Sequence, residues 1–139
     1  KVFDLDTMDP VHAANASVVL SCVALSDALG VAACGAHDGA VFLFDDRAKP
    51  ASKFARCLRG HRHKAVSAVA WAPPASGKDH HLASAAQDGT VNLWDVRGAQ
   101  DAPVAALKAP DVSKCLALAW TDDALYVGGD DPRVHRFTL

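Results

Sequence analysis

Glutamate and isoleucine are absent from this 139-residue chain, so all sixteen acidic residues are aspartate. Aspartate bonds to nearby backbone in turns and caps and disfavours helix interiors, which suits a turn-rich β protein. Alanine is abundant and points towards helix by propensity, but it is scattered through valine-rich alternating runs and reads as small-residue packing. The four cysteines (Cys22, Cys34, Cys57 and Cys115) form no Cys-x-x-Cys pair and lack the density of a disulfide-stapled secreted domain. Cys22, Cys34 and Cys115 fall in apolar runs, where buried free thiols are ordinary, so a reducing cytosolic or nuclear compartment is expected. No signal peptide is visible, and no uninterrupted apolar run is long enough to span a bilayer. A net charge of −2 argues against bulk electrostatic binding to nucleic acid.

Half of the residues are hydrophobic, enough for a packed core, and they are organised as a repeat. Asp38-Gly39-Ala40-Val41-Phe42-Leu43-Phe44 aligns with Asp88-Gly89-Thr90-Val91-Asn92-Leu93-Trp94 and with Asp131-Pro132-Arg133-Val134-His135-Arg136-Phe137. In each copy an aspartate precedes an aromatic by six positions, and successive aspartates are 50 and 43 residues apart. The first spacing is stretched by Pro73-Pro74-Ala75-Ser76-Gly77-Lys78-Asp79, a surface insertion by composition. Alternating or short apolar runs predict three strands per copy: 18–25, 30–35 and 40–44; 65–71, 82–86 and 90–94; 114–120, 124–129 and 133–138. Outer strands are expected at 53–58 and 103–107, and segments 2–5 and 10–14 read as the end of a preceding unit.

The middle copy carries more. Gly60-His61 precedes it, Trp94-Asp95 closes it, and Ser84 and Asp88-Gly89-Thr90 lie between. This combination resembles the WD40 repeat, the sequence unit of a β-propeller blade. The resemblance implies an all-β fold: a WD40 β-propeller fragment of about three C-terminal blades from a seven-bladed ring, since 139 residues are too few for a closed one. Its expected divisions are 1–15 (end of a preceding blade), 16–58, 59–108 and 109–139, the last lacking an outer strand. The chain opens inside a strand-like run, Val2-Phe3-Asp4-Leu5, as though entered part-way.

The resemblance also implies a structural tetrad of His61, Ser84, Asp88 and Trp94. Asp88 would accept a ring N–H from His61, and Ser84 would accept from the Trp94 indole and join the histidine. A nucleophilic His-Ser-Asp site is the competing reading; the Trp at the end of the series and the repeat spacing favour a strut, and no enzyme is expected. The flanking copies have Phe44 and Phe137 in place of the Trp and no Gly-His, so they are expected to be held by packing alone. Trp71 and Trp120, with Leu25 at the matching place, read as packing between neighbouring blades. The pairs Asp45-Asp46, Asp122-Asp123 and Asp130-Asp131 read as turn residues, because neighbours in extended chain point opposite ways. Neither His61-Arg62-His63 nor His80-His81 has a third ligand at metal spacing, so no metal and no cofactor are expected.

Charge is uneven. Seven of the fourteen cations lie between residues 47 and 64: Arg47, Lys49, Lys53, Arg56, Arg59, Arg62 and Lys64. The run reads as a charge-blunted outer edge, or as a basic rim that meets pre-ribosomal RNA or an acidic partner. In WD40 propellers the loops entering the first strand and joining the second to the third line the usual docking face. That mapping adds Arg62, His63, His37, Gln87 and Asp130 to Arg56, Arg59 and Lys64 as partner-binding candidates.

The last third resembles one branch of the family. Trp94-Asp95-Val96-Arg97, Ala102-Pro103-Val104, Leu116-Ala117-Leu118-Ala119-Trp120-Thr121-Asp122 and Val127-Gly128-Gly129-Asp130 are similar to the C-terminal end of WD-repeat ribosome-assembly factors. Those factors work with pescadillo and block-of-proliferation proteins in maturing the large ribosomal subunit. The resemblance implies a non-catalytic scaffold for protein–protein interaction in ribosome biogenesis and rRNA processing, in the nucleolus or nucleus, with the cytoplasm as the other compartment. A rival reading rests on Trp94-Asp95-Val96-Arg97, which also fits the WDxR pattern of cullin ubiquitin-ligase substrate receptors; a generic WD40 adaptor is the third. Three blades would leave two blade faces uncovered, so self-association or membership of a larger assembly is expected.

Overall fold

A computed structural model describes residues 2–3, 6–8, 10–12, 16–45, 47 and 54–138. Within them the chain is a succession of antiparallel strands, interrupted by one 3-10 turn at Pro74–Ser76. A short pair, β1 (Val2–Phe3) with β2 (Pro10–His12), precedes the larger sheets. Residues 4, 5, 13 and 14 of the expected 2–5 and 10–14 strands lie outside the described residues.

The first blade runs β3 (Leu20–Ser26), β4 (Val31–Ala36), β5 (Ala40–Asp45) and β6 (Arg56–Arg59), each paired with its neighbour in order. The second repeats this with β7 (Val66–Trp71), β8 (His81–Ala86), β9 (Thr90–Asp95) and β10 (Ala105–Lys108). The third has three strands, β11 (Cys115–Trp120), β12 (Ala124–Gly129) and β13 (Val134–Thr138). These are β-propeller blades, part of a propeller.

The innermost strand of every blade starts later than the alternating pattern suggests, and for the same reason each time. The backbone carbonyls of Val19, Ala65 and Lys114 are taken by the N–H groups of His37, Gln87 and Asp130, at 3.0, 2.9 and 3.1 Å. A one-residue bulge follows at Ser21, Ser67 and Leu116, where the ladder register slips. Position 53, the expected start of the first outer strand, lies outside the described residues, and just before β6 Ala55 N–H bonds Leu43 O at 2.7 Å.

Alternation along the strands puts one core between each pair of blades. Leu82 and Trp94, paired across β8 and β9, face the first blade and pack with Leu43, Leu58, Val66 and Trp71. Ala83, Ala85, Val91 and Leu93 face the third and pack with Val112, Cys115, Leu125 and Val127. Each fully buried aliphatic side chain contributes about 1.5–3 kcal/mol. All four cysteines are free. Burial pushes the Cys115 thiol up to about 11, so it stays protonated as a small apolar filler.

The junctions also share polar ties. Ser21 Oγ contacts the Val66 carbonyl of the next blade, and Ser67 Oγ contacts that of Cys115. At the third bulge the residue is Leu116, an exposed side chain. Trp71 packs between blades as the sequence suggested and donates its indole N–H to Ala24 O at 3.2 Å. In the turns, Asp38 and Asp88 accept the N–H of Ala40 and Thr90 at 3.1 and 2.9 Å, which sets Gly39 and Gly89 at φ +85 and +76. A Cβ on Gly39 would stand 2.1 Å from His61 O, so the following blade rests directly on this turn.

Candidate functional site: a buried relay and an exposed rim

On the first-blade side of the second blade runs a one-way chain of hydrogen bonds. Trp94 Nε1–H donates to Ser84 Oγ at 2.8 Å, and Ser84 Oγ lies 2.7 Å from His61 Nε2. His61 Nδ1 meets Thr90 Oγ1 at 3.1 Å, and the Thr90 hydroxyl donates to Asp88 Oδ1 at 2.5 Å. One assignment satisfies every group: neutral His61 with its proton on Nδ1, accepting from Ser84 at Nε2. Burial pushes His61 below the ordinary histidine range, overriding the opposing pull of Asp88. Gly60 makes room for the dive of His61, because a Cβ there would be 2.8 Å from the Trp94 ring.

The relay differs from the expected tetrad in one link. His61 Nδ1 and Asp88 Oδ1 are 3.6 Å apart, and Thr90 is the group between them. Ser84 is fully buried with its oxygen engaged on both sides, leaving no approach for a substrate carbonyl.

The rim at the blade ends carries the partner candidates. His37 and Gln87 are exposed and occupy equivalent turn positions, each tied by its N–H to the loop entering the innermost strand. Arg62, His63 and Lys64 are exposed in the loop before β7, with His63 in the left-handed region at φ 56. Between the first and second blades a cleft of about 290 Å³ is lined by Asp38, Arg59, Arg62 and His63, among others. Arg59 reaches Asp38 at 3.7 Å yet is 62 % exposed, so its charge stays available.

Two candidates are spent elsewhere. Arg56 uses all five guanidinium donors on the second blade: Nε and Nη2 to Asp101 Oδ1 at 3.1 and 2.8 Å, Nη1 to the carbonyls of Val96 and Gly98 at 2.9 and 2.8 Å, and Nη2 to Gln100 O at 2.8 Å. It is a strap between blades. Asp130 is exposed, but its carboxylate is occupied locally: it accepts Ser113 N–H, the Ser113 hydroxyl and Lys114 N–H, which hold its carboxyl down to about 2. In the same run Arg47 lies against Asp45 and Leu29 O, and Lys49 and Lys53 lie outside the described residues. The rim therefore rests on Arg59, Arg62, His63 and Lys64, with His37 and Gln87 beside them.

The family model for the WD domain, G-beta repeat, matches residues 52–95. The chain carries a WD40 repeat. It is 37 % identical over 132 residues to the ribosome biogenesis protein WDR12 homolog of Chlamydomonas reinhardtii, a match covering 88 % of this chain and 28 % of that protein. The chain thus spans less than a third of that relative's length. Among solved structures it is similar to a chain of the mitotic checkpoint complex, with TM-score 0.80 at 22 % identity, over 98 % of this chain and 40 % of that one. It also resembles the Cps50 (Swd1) β-propeller domain of Myceliophteria thermophila, with TM-score 0.63 at 22 % identity, over 90 % of this chain and 38 % of that one.

Outside the WD40 match, the flanking blades keep polar ties that packing alone did not anticipate. In the third, Asp131 pairs with His135 at 3.0 Å where the WD40 repeat has its relay. Asp130 and Asp131, in the bend between β12 and β13, thus serve different partners. The WDxR motif is a local clamp: Asp95 holds the Arg97 N–H, Nε and Nη2 at 3.0, 3.1 and 2.9 Å. Asp45 holds Arg47 in the same way at 3.0, 2.9 and 3.0 Å. The absence of a third group beside His80-His81 is corrected here too, because cross-strand pairing of His81 with Asp95 supplies one.

Proposed function

We propose that the chain is a non-catalytic docking scaffold within a larger WD40 propeller that acts in large ribosomal subunit assembly and pre-rRNA processing. Its partners on this reading are proteins of the pescadillo and block-of-proliferation type, met in the nucleolus or nucleus. The observation that carries it is the exposed rim of Arg59, Arg62, His63 and Lys64 around the cleft between the first two blades. A cluster of exposed basic side chains at the blade ends suits an acidic protein surface or an RNA backbone. The 37 % identity to an algal ribosome biogenesis protein supports the pathway.

Reversing Arg59 and Arg62 to Glu tests the reading, with pull-down of pescadillo-complex partners and RNA binding as readouts. Loss of either at moderate salt supports it; unchanged binding of both retires the rim. A parallel pull-down of the cullin-ligase adaptor addresses the rival reading, and capture of the adaptor would favour it. Val23 and Leu25 on the first blade and Val134 on the third are 69 %, 64 % and 73 % exposed, apolar surface suited to self-association or to further blades. A monodisperse monomer by light scattering would count against that.

A further inference from the structure

On the blade edge away from Gln87, the insertion between β7 and β8 delivers two histidines beside an aspartate. We propose that His80, His81 and Asp95 form a binding site for a divalent ion of the zinc class. One ligand atom from each residue lies within 4.8 Å of the others. A tetrahedral zinc site needs donor atoms about 3.3 Å apart, given metal–ligand bonds of about 2.0–2.1 Å. Side-chain movements of up to about 1.5 Å close that difference, and all three residues are only part-buried.

The backbone beneath them is pinned. His81 N–H bonds Lys78 O at 2.7 Å, Val96 N–H bonds His80 O at 3.1 Å, and His81 pairs with Asp95 across β8 and β9. Upstream, Ser76 Oγ bonds Pro73 O and receives Lys78 N–H at 2.6 and 3.2 Å, which makes the insertion a built turn. His80 has the support a metal-bound imidazole requires: Asp79 Oδ1 is 3.0 Å from its Nδ1, which orients the ring and leaves Nε2 for an ion. His81 Nδ1 is buried with no hydrogen-bond partner among the described residues, a cost that is unexplained unless something occupies that side of the ring. Two imidazoles and one carboxylate are the donor set of zinc-class ions, with water as the fourth ligand.

Arg97 is the competitor. Its guanidinium holds both Asp95 oxygens, Nε to Oδ1 at 3.1 Å and Nη2 to Oδ2 at 2.9 Å, so the ion must displace it; the side chain is 64 % exposed and has solvent to move into. Metal binding would then fasten the insertion to the end of β9.

The test is isothermal titration of the chain with Zn(II), alongside thermal melts with and without the ion. One ion per chain is expected, with His80→Ala and His81→Ala each weakening binding at least tenfold, Arg97→Ala binding as tightly or tighter, and His63→Ala unchanged. Zn(II) should raise the Tm of the parent chain and not that of the His80→Ala/His81→Ala chain. Absence of saturable Zn(II) binding to the parent chain overturns the proposal, and so does equal binding by the doubly substituted chain. An equal loss in His63→Ala would mean scattered surface histidines and overturn it as well.

Discussion

Thr90 stands between His61 and Asp88: its hydroxyl is 3.1 Å from His61 Nδ1 and donates to Asp88 Oδ1 at 2.5 Å, while the two ionisable groups remain 3.6 Å apart. The threonine is thus both the last link of the relay and the second residue after the turn aspartate, which accepts its N–H as well. Thr90→Val keeps the shape and removes the hydroxyl, leaving the buried His61 N–H without its acceptor. Destabilisation of about 1–3 kcal/mol is expected in urea melts, comparable to Trp94→Phe at the other end. A Thr90→Val chain as stable as the parent would return the role to a direct His–Asp contact.

Acidification tests the same relay. Folding lowers the pKa of His61 from its ordinary 6.5, so below that value the unfolded chain takes a proton that the folded chain resists. Stability should be flat above about pH 6.5 and fall as pH drops further, by at most about 1.4 kcal/mol per pH unit for one proton. His81 shifts in the same direction and adds to the effect. The aspartates act in a separate window: the Asp130 carboxyl, held down to about 2, keeps its contribution until pH falls from its ordinary 3.8 towards that value. Urea midpoints at pH 7.5, 5.5 and 3.5 resolve the two. Rising stability between 7.5 and 5.5 would contradict the buried neutral histidine.

Arg56 and Arg62 should separate stability from docking. Arg56→Lys retains the charge but cannot make the five hydrogen bonds, and a loss of about 1–2 kcal/mol is expected, discounted for partial exposure. Arg62→Ala should stay within about 0.5 kcal/mol of the parent. Equal melting midpoints for both variants would show that the five contacts of Arg56 are dispensable.

Most of the fold was legible because a period of two residues and an Asp-Gly turn are local signals. The ends of β5, β9 and β12 lie within one residue of the alternating runs that mark them. The role of Thr90 was hidden in plain view, since the same residue satisfies strand propensity. The internal bonds of Arg56 and Asp130 were not legible because polarity alone does not say whose carbonyl or N–H lies opposite. Asp95 escaped as a neighbour of His81 because β pairing joins residues fourteen positions apart, beyond any ligand-spacing motif.

The bulge positions carry one more consequence. Ser21 grips Val66 and Ser67 grips Cys115, so every grip points from a blade to its successor, and at Leu116 the hydroxyl gives way to an isobutyl group. The joints are therefore keyed, with direction. Loss of the Ser67 hydroxyl would loosen the hold of the second blade on the third and leave that of the first on the second in place.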